Sequence, residues 1–304
     1  MTEALKARRA RVAWHASTAA ALACASLAVP AAEPRLAAVT LAIESQIEQS
    51  GAEVAVAFRT LDGKTQWLRR ADEPFHAASA TKLAVLIELY QQVRLHKARL
   101  DETVVVRNEF KSLADGSRFS LNPDDDSEAQ LYRALGERRT LAQLSELMIT
   151  VSSNLAANLL IDRLGVDNIR ASMHALGADD MNVRRGLEDS KAFEQGLNNT
   201  TTANALLKIM AAIARGHAVD APASRQMVEV LSRQTDNEAI PAGLPAGLRI
   251  AHKTGQITKI QHDAAIVYAR RPFVLVILTR GIEDPRKSAA LMAQIAHQLY
   301  GVTQ

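Results

Sequence analysis

Only one cysteine, Cys24, occurs in the 304 residues, and it falls in an N-terminal run that a signal peptidase would remove. A chain cut after Ala31 therefore has no disulfide, no thiolate zinc site and no cysteine nucleophile. The eight histidines are scattered, without a His-x-His or His-Glu-x-x-His pair, so no ligand set for a metal is visible and no cofactor is expected. Asp124-Asp125-Asp126 lacks the glycine that a calcium loop needs at its turn, and it reads as a solvated acidic loop. Net charge is only +3, with part of the basic excess, Lys6, Arg8, Arg9 and Arg11, at the extreme N-terminus. A nucleic-acid partner would leave a larger basic footprint. No Gly-x-Ser-x-Gly elbow of the lipase and esterase kind is present, nor is there an internal repeat, low-complexity tract or long linker.

What is present is an ordinary globular composition, 48% hydrophobic and 23% charged, over a length that suits one large domain or two closely joined ones. The N-terminal basic residues precede an Ala-rich apolar run from Ala16 to Val29 and the small residues Val29-Pro30-Ala31-Ala32. That is the pattern of a secretory leader over residues 1–31. The run is shorter than the roughly 20 apolar residues of a bilayer span, so the mature chain is expected to be exported, periplasmic or secreted, without a membrane span. Arg8-Arg9 and Cys24 raise a twin-arginine route and a lipid anchor as alternatives. Against the anchor, Ala21 stands where lipidation signals carry a larger aliphatic residue.

Past the leader, Leu36, Val39, Ile43 and Ile47 recur at helical spacing up to Gly51, a common helix terminator. Glu53 to Arg59 and Gln66 to Arg69, joined across Asp62-Gly63, read as a hairpin. From Thr81 to about residue 215 the periodicity is mostly helical. Strands return over Leu248 to Lys253, Asp263 to Ala269 and Phe273 to Thr279, before a last helix opened by Asp284-Pro285 with Leu291, Ile295 and Leu299 on one face. Strands at both ends of the chain are too few to fold separately. The expected fold is therefore α+β: one antiparallel sheet from residues 32–78 and 216–304, flanked by the first and last helices, with an all-helical subdomain over 79–215 and a ligand cleft between the two.

Three short motifs sit where chemistry needs them. Ser79 and Lys82 open a helix whose next residues, Leu83-Ala84-Val85-Leu86-Ile87, are apolar almost all round, so the helix is buried. Burial and the positive end of the helix dipole both push the lysine toward the neutral amine, which is a base one helical turn from the serine hydroxyl. Taken alone, Ser79 is equally an ordinary N-cap and Lys82 a surface residue. A second helix starts at the capping box Thr140 and Gln143 and ends at Ser152-Ser153-Asn154, where Ser152 could relay a proton and Asn154 bind a substrate amide; capping the next helix explains both as well. The third is Lys253-Thr254-Gly255 at a strand end, where the glycine lets another backbone or a ligand approach closely and the cation and hydroxyl suit a carboxylate, or which is simply a turn.

All three in this order closely resemble the penicillin-recognising serine enzymes, and within them the class A β-lactamases. Ser79-Ala80-Thr81-Lys82, Ser152-Ser153-Asn154 and Lys253-Thr254-Gly255 match the family's three motifs. The flanks Met148-Ile149-Thr150-Val151, Asn158 to Gly165 and Asn199-Thr200-Thr201-Thr202 are similar too, and the resemblance runs from about Leu36 to Gln304. It implies a β-lactamase/DD-peptidase-like fold. Ser79 is then the nucleophile, Lys82 its base partner, Ser152 the relay, Asn154, Lys253 and Thr254 the substrate binders, and Gln256 the partner of Ser79 in an oxyanion hole. A small-molecule β-lactam or acyl-peptide is the implied substrate and a monomer the expected state.

Three departures bear on this. Ser153 replaces the usual aspartate, Gln256 is bulkier than the family's residue, and the loop motif Arg-x-Glu-x-x-x-Asn is displaced, with Arg185-Gly186-Leu187-Glu188 and no asparagine four residues on. Glu188 is the candidate deacylating base and Glu194 a distant second. Without such a base an acyl-enzyme stalls, which is the behaviour of a DD-peptidase or penicillin-binding protein; the chain's end straight after its terminal helix favours the β-lactamase alternative. A non-catalytic binding or sensor module is a third expectation.

Overall fold

Both ends of the chain meet in the central sheet of the computed structural model, which describes residues 32–304. The predicted leader, with Cys24, lies outside the described residues. Strands β1 (Glu53–Thr60), β2 (Gln66–Arg69), β3 (Ile250–Ile257), β4 (Ile260–Val267) and β5 (Phe273–Arg280) are ordered β2-β1-β5-β4-β3, every neighbouring pair antiparallel. β1 pairs with β5 along its whole length, from Glu53 against Arg280 to Thr60 against Phe273. This pairing closes the fold across more than two hundred residues of sequence, and its register follows from the side chains. Val54, Val56 and Phe58 turn to one face and Ala55 and Ala57 to the other, all fully buried.

The Val54 face is covered by helix α1 (Ala32–Ser50) and by the last helix of the chain, Pro285–Val302, through Ile43, Ile47, Leu291, Ile295 and Leu299. Truncating one of these side chains to Ala is expected to cost about 2–5 kcal/mol. The alanine face admits the helix Ala203–Ala214, which lies across β1, β4 and β5. On that side α2 (Thr81–Arg94) runs through the helical part, buried without a break from Thr81 to Tyr90. Around it pack α3 (Leu141–Thr150), opened by the capping box of Thr140 and Gln143, α4 (Asn154–Leu164) and α5 (Val166–Ala175).

Two expectations need correction. The Lys253-Thr254-Gly255 motif does not end its strand: β3 continues to Ile257 and turns into β4 through Thr258 and Lys259 alone. Lys259 takes a left-handed φ of 59°, a position usually signalled by Gly or Asn, so the turn left no mark in the sequence. Gly255 marks a close approach of another backbone, as expected of a glycine in a strand, described below. The acidic run Asp124-Asp125-Asp126 is likewise not wholly solvated: Asp126 is buried and accepts five hydrogen bonds.

Candidate functional site

Ser79 sits in a single 3-10 turn, Ala78–Ala80, that feeds directly into α2. The turn is held from several sides. Ala78, at a left-handed φ of 45°, donates its N–H to His76 Nδ1 at 3.1 Å. Ala77 N–H donates to the Asn199 carbonyl at 2.8 Å, and His262 Nε2 donates to the His76 carbonyl at 2.8 Å. A non-glycine residue in that conformation costs about 1–2 kcal/mol, so the contacts have strain to overcome. Strand β3 passes immediately behind. A Cβ on Gly255 would stand 3.2 Å from Ser79 N and 3.1 Å from Ala80 N, tighter than most side-chain contacts and against backbone, so glycine lets the strand lie against the turn.

Lys82, one turn on, is fully buried. Its Nζ lies 3.0 Å from Ser79 Oγ, 3.0 Å from Ser152 Oγ, 2.6 Å from the Ser152 carbonyl and 2.7 Å from Asn154 Oδ1. Lys253, equally buried, reaches the same Ser152 Oγ at 3.0 Å from the opposite side and donates to the Thr254 carbonyl at 2.8 Å. Burial first, and Lys253 second, hold the Lys82 ammonium well below the usual lysine range, against the nearby charges of Asp126 and Glu188. Burial lowers Lys253 to about 8, with Asp236 and Asp263 opposing. Of the two amines flanking one hydroxyl, Lys253 is thus the better seat for a proton at neutral pH. The carboxylate behind it, Asp263, also pairs with buried His252 at 3.0 Å and accepts from Ile240 N–H at 3.1 Å.

Ser152 bridges α3 to α4 in a left-handed conformation, φ 63°. The opposite wall is an irregular loop carrying Glu188, also left-handed at φ 61°. Asn154 Nδ2 donates to Glu188 Oε1 at 2.5 Å, so Asn154 touches Lys82 with one amide atom and Glu188 with the other. Burial pushes the Glu188 carboxyl up and the Asn154 bond pulls it down, with Asp126 and Asp125 adding to the rise. Side-chain clamps hold the loop. Asn158 exchanges two hydrogen bonds with the backbone of Leu187, at 2.6 and 2.9 Å, and a Cβ on Gly186 would meet its Oδ1 at 3.0 Å. Asn199 Oδ1 accepts from the N–H groups of Arg184 and Arg185. Asp189 caps the short helix Ser190–Glu194 and also accepts from Ser112 Oγ and Leu113 N–H.

Two adjoining cavities, of about 570 and 500 Å³, share Ser79, Asn154 and Gln256. Glu188 and Phe193 line the first, Ser152 and Thr254 the second. Of the residues singled out in the sequence, Ser79, Lys82, Ser152, Asn154, Glu188, Lys253 and Thr254 are brought together around this cleft, and Gln256 stands exposed on its rim. Glu194 is exposed and lines neither cavity. His76, Asp126 and Asp263 were missed. Each acts on backbone or on a buried partner far away in sequence, and no local pattern announces that. Asn158 and Asn199 stand in the flanks that resemble the family, and nothing in the sequence gives them a role.

The site can transfer an acyl group: a hydroxyl beside a deprotonatable buried amine, a second hydroxyl between two amines, and a carboxyl across the cleft. Among the described residues no group of three or more His, Asp or Glu side chains is placed to hold a metal.

Comparison with known proteins gives the same direction. The family model described as "Beta-lactamase enzyme family" matches residues 38–303. A β-lactamase of Citrobacter koseri is 27% identical over 256 residues, covering 82% of this chain and 83% of its own. Among solved structures, a β-lactamase from Sphaerobacter thermophilus superposes with a TM-score of 0.76 at 23% identity, over 88% of this chain and 97% of that one, a likeness of fold. PBP-A superposes with a TM-score of 0.75 at 25% identity, over 88% and 96%.

Proposed function

The chain belongs to the beta-lactamase enzyme family, and from that premise we propose that it is a serine hydrolase which opens the β-lactam ring through an acyl-enzyme on Ser79. The observation that carries the proposal is the buried Lys82 amine 3.0 Å from the Ser79 hydroxyl. A neutral amine has two N–H donors and one lone pair. The Ser152 carbonyl and Asn154 Oδ1, the two shortest contacts, only accept, so they take both hydrogens. The lone pair is left for the hydroxyls. Ser79 Oγ then attacks the lactam carbonyl as its proton passes to Lys82.

The backbone N–H groups of Ser79 and Gln256 receive the developing oxyanion, and loss of one such donor costs about 3–4 kcal/mol in comparable sites. Ser152, between the two amines, hands a proton to the ring nitrogen as the C–N bond breaks. Lys253 and Thr254 bind the substrate carboxylate on the same side of the cleft. Hydrolysis of the ester then falls to a water activated by Glu188, which must be ionised to act. With the leader over residues 1–31, the enzyme is exported and works as a monomer; N-terminal sequencing of the secreted chain and its sedimentation check both.

A second reading has a specific observation behind it. Glu188 follows Arg185 at a displaced spacing, and the position four residues after it is Ala192. A slow or absent second step would make the chain a penicillin-binding peptidase, in keeping with its likeness to PBP-A. Intact-protein mass spectrometry of the mature chain with a penicillin, beside Ser79→Ala, separates the cases. Gain and rapid loss of the acyl mass with drug consumption is the β-lactamase outcome. A lasting adduct is the peptidase outcome, and no adduct, or one on the Ser79→Ala control, rejects Ser79 chemistry and leaves a binding module.

A further inference from the structure

A helix start leaves four N–H groups without intrahelical partners. At α4 all four are satisfied, two of them by a carboxylate from a different part of the chain. Asp126 Oδ2 accepts from the N–H of Asn154 at 2.9 Å and of Leu155 at 2.8 Å, from Tyr132 Oη at 2.9 Å and from Ser153 Oγ at 3.4 Å; Oδ1 accepts from Glu128 N–H at 3.1 Å. Ser153 accounts for the other two: its hydroxyl accepts from Ala156 N–H at 3.2 Å, and its own N–H donates to the Leu147 carbonyl at 3.1 Å. The serine in the middle of the second motif is thus committed to the helix and has no anionic group to offer.

We propose that Asp126 is a positioning residue for acylation: by capping α4 from a distance it holds Ser152 and Asn154 where they meet Lys82. Two of the four Lys82 contacts depend on side chains of these residues, Ser152 Oγ at 3.0 Å and Asn154 Oδ1 at 2.7 Å. Ser152 is left-handed, and a conformation of that kind persists only where its surroundings over-determine it. Asp126 grips the backbone N–H two residues on, and it is bound in turn by Tyr132. Its charge adds a second effect. Lys82 faces Lys253, Asp126 and Glu188, and Glu188 faces Asp126, Asp125 and Lys82. A negative charge at Asp126 favours the protonated form of both Lys82 and Glu188, so its removal moves both titrations to lower pH.

The test rests on Ser79 being acylated, and uses Asp126→Asn in the full mature chain. The variant keeps the shape and one acceptor oxygen and removes the charge. Single-turnover acylation by a penicillin is followed by mass across pH 5 to 9, taking the rate constant and not the amplitude, with thermal unfolding alongside. We expect cooperative unfolding, a rate constant down by about 10²-fold, as for a misplaced catalytic group, and an acid limb displaced to lower pH. A merely less stable protein would keep the wild-type limb. An unchanged rate constant and limb overturn the proposal, and so does a variant with no cooperative transition, which assigns Asp126 to the fold alone. If the wild type takes no penicillin, the β-lactam reading fails by itself, and an alkyl fluorophosphonate, which phosphonylates an activated serine with loss of fluoride, replaces it. Slower labelling of the variant then supports the role of Asp126, equal labelling overturns it, and a wild type that neither reagent labels overturns both.

Discussion

The two walls of the cleft are built by different means. On one side Ser79, Lys82, Ser152 and Lys253 ride on α2, the α3–α4 junction and β3, regular elements whose backbone bonds and buried apolar faces hold the side chains. On the other, Glu188 rides on irregular chain that is fixed by side chains reaching in from elsewhere: Asn158 to Leu187, Asn199 to Arg184 and Arg185, Asp189 to Ser112 and Leu113. In the mechanism we propose, the first wall carries what acylation requires and the second what turnover requires. The proposed cycle is then divided between a part positioned by secondary structure and a part positioned by individual polar contacts. The second part can be altered without touching the first.

The sharpest break in this comparison is Lys82→Ala, which removes the base from the regular wall. Acylation in single-turnover mass spectrometry is expected to fall by about 10³- to 10⁴-fold, the upper range for loss of a general base, with Glu188 unable to substitute across Asn154. Glu188→Gln attacks the other wall. Deacylation should slow by about 10²- to 10⁴-fold while the acylation rate constant stays within a few-fold, so that the adduct accumulates; equal losses in both steps would show that the walls are not separable. Smaller, and confined to substrate binding, is the effect of pH on the regular wall. Lys253 is cationic below about 8, and above that the attraction for an anionic substrate is lost. KM for a carboxylate-bearing β-lactam should rise as pH passes through about 8, and a neutral ester analogue should show no such rise.

The same division explains what the sequence disclosed. The strands and helices were legible because burial imposes a period: Ile43 and Ile47 on α1, Val54, Val56 and Phe58 on β1, and Leu291, Ile295 and Leu299 on the last helix all stand where the spacing predicts. So were Ser79, Lys82, Ser152 and Lys253, each tied to the start or end of an expected element or to a strand. The position of Glu188 was not, because nothing periodic connects Asn154 to a residue 34 positions on. Asp126 was misread for a related reason. Three consecutive aspartates look solvated, and only the arrival of α4 and Tyr132 in space buries one of them. Gly255 was legible as a place of close approach, and its missing Cβ makes room for the Ser79 turn.

The finest probe of the comparison is Asn158→Ala, which leaves both Glu188 and the regular wall chemically intact. It removes the two hydrogen bonds that hold Leu187, at 2.6 and 2.9 Å, and leaves half-buried amide groups of the loop without protein partners, at about 1 kcal/mol. Glu188 is the next residue and is left-handed, so a loosened Leu187 lets its backbone relax and its carboxylate leave the place where Asn154 holds it. Deacylation is expected to drop by about tenfold, roughly the 1.4 kcal/mol that separates one decade, while acylation is unchanged and Glu188→Gln added to Asn158→Ala gives no further loss beyond Glu188→Gln alone. Non-additivity of that kind would mean that Asn158 acts through Glu188. Full additivity, or a matching loss in acylation, would mean that the loop supports the whole cleft and that the two walls share one scaffold.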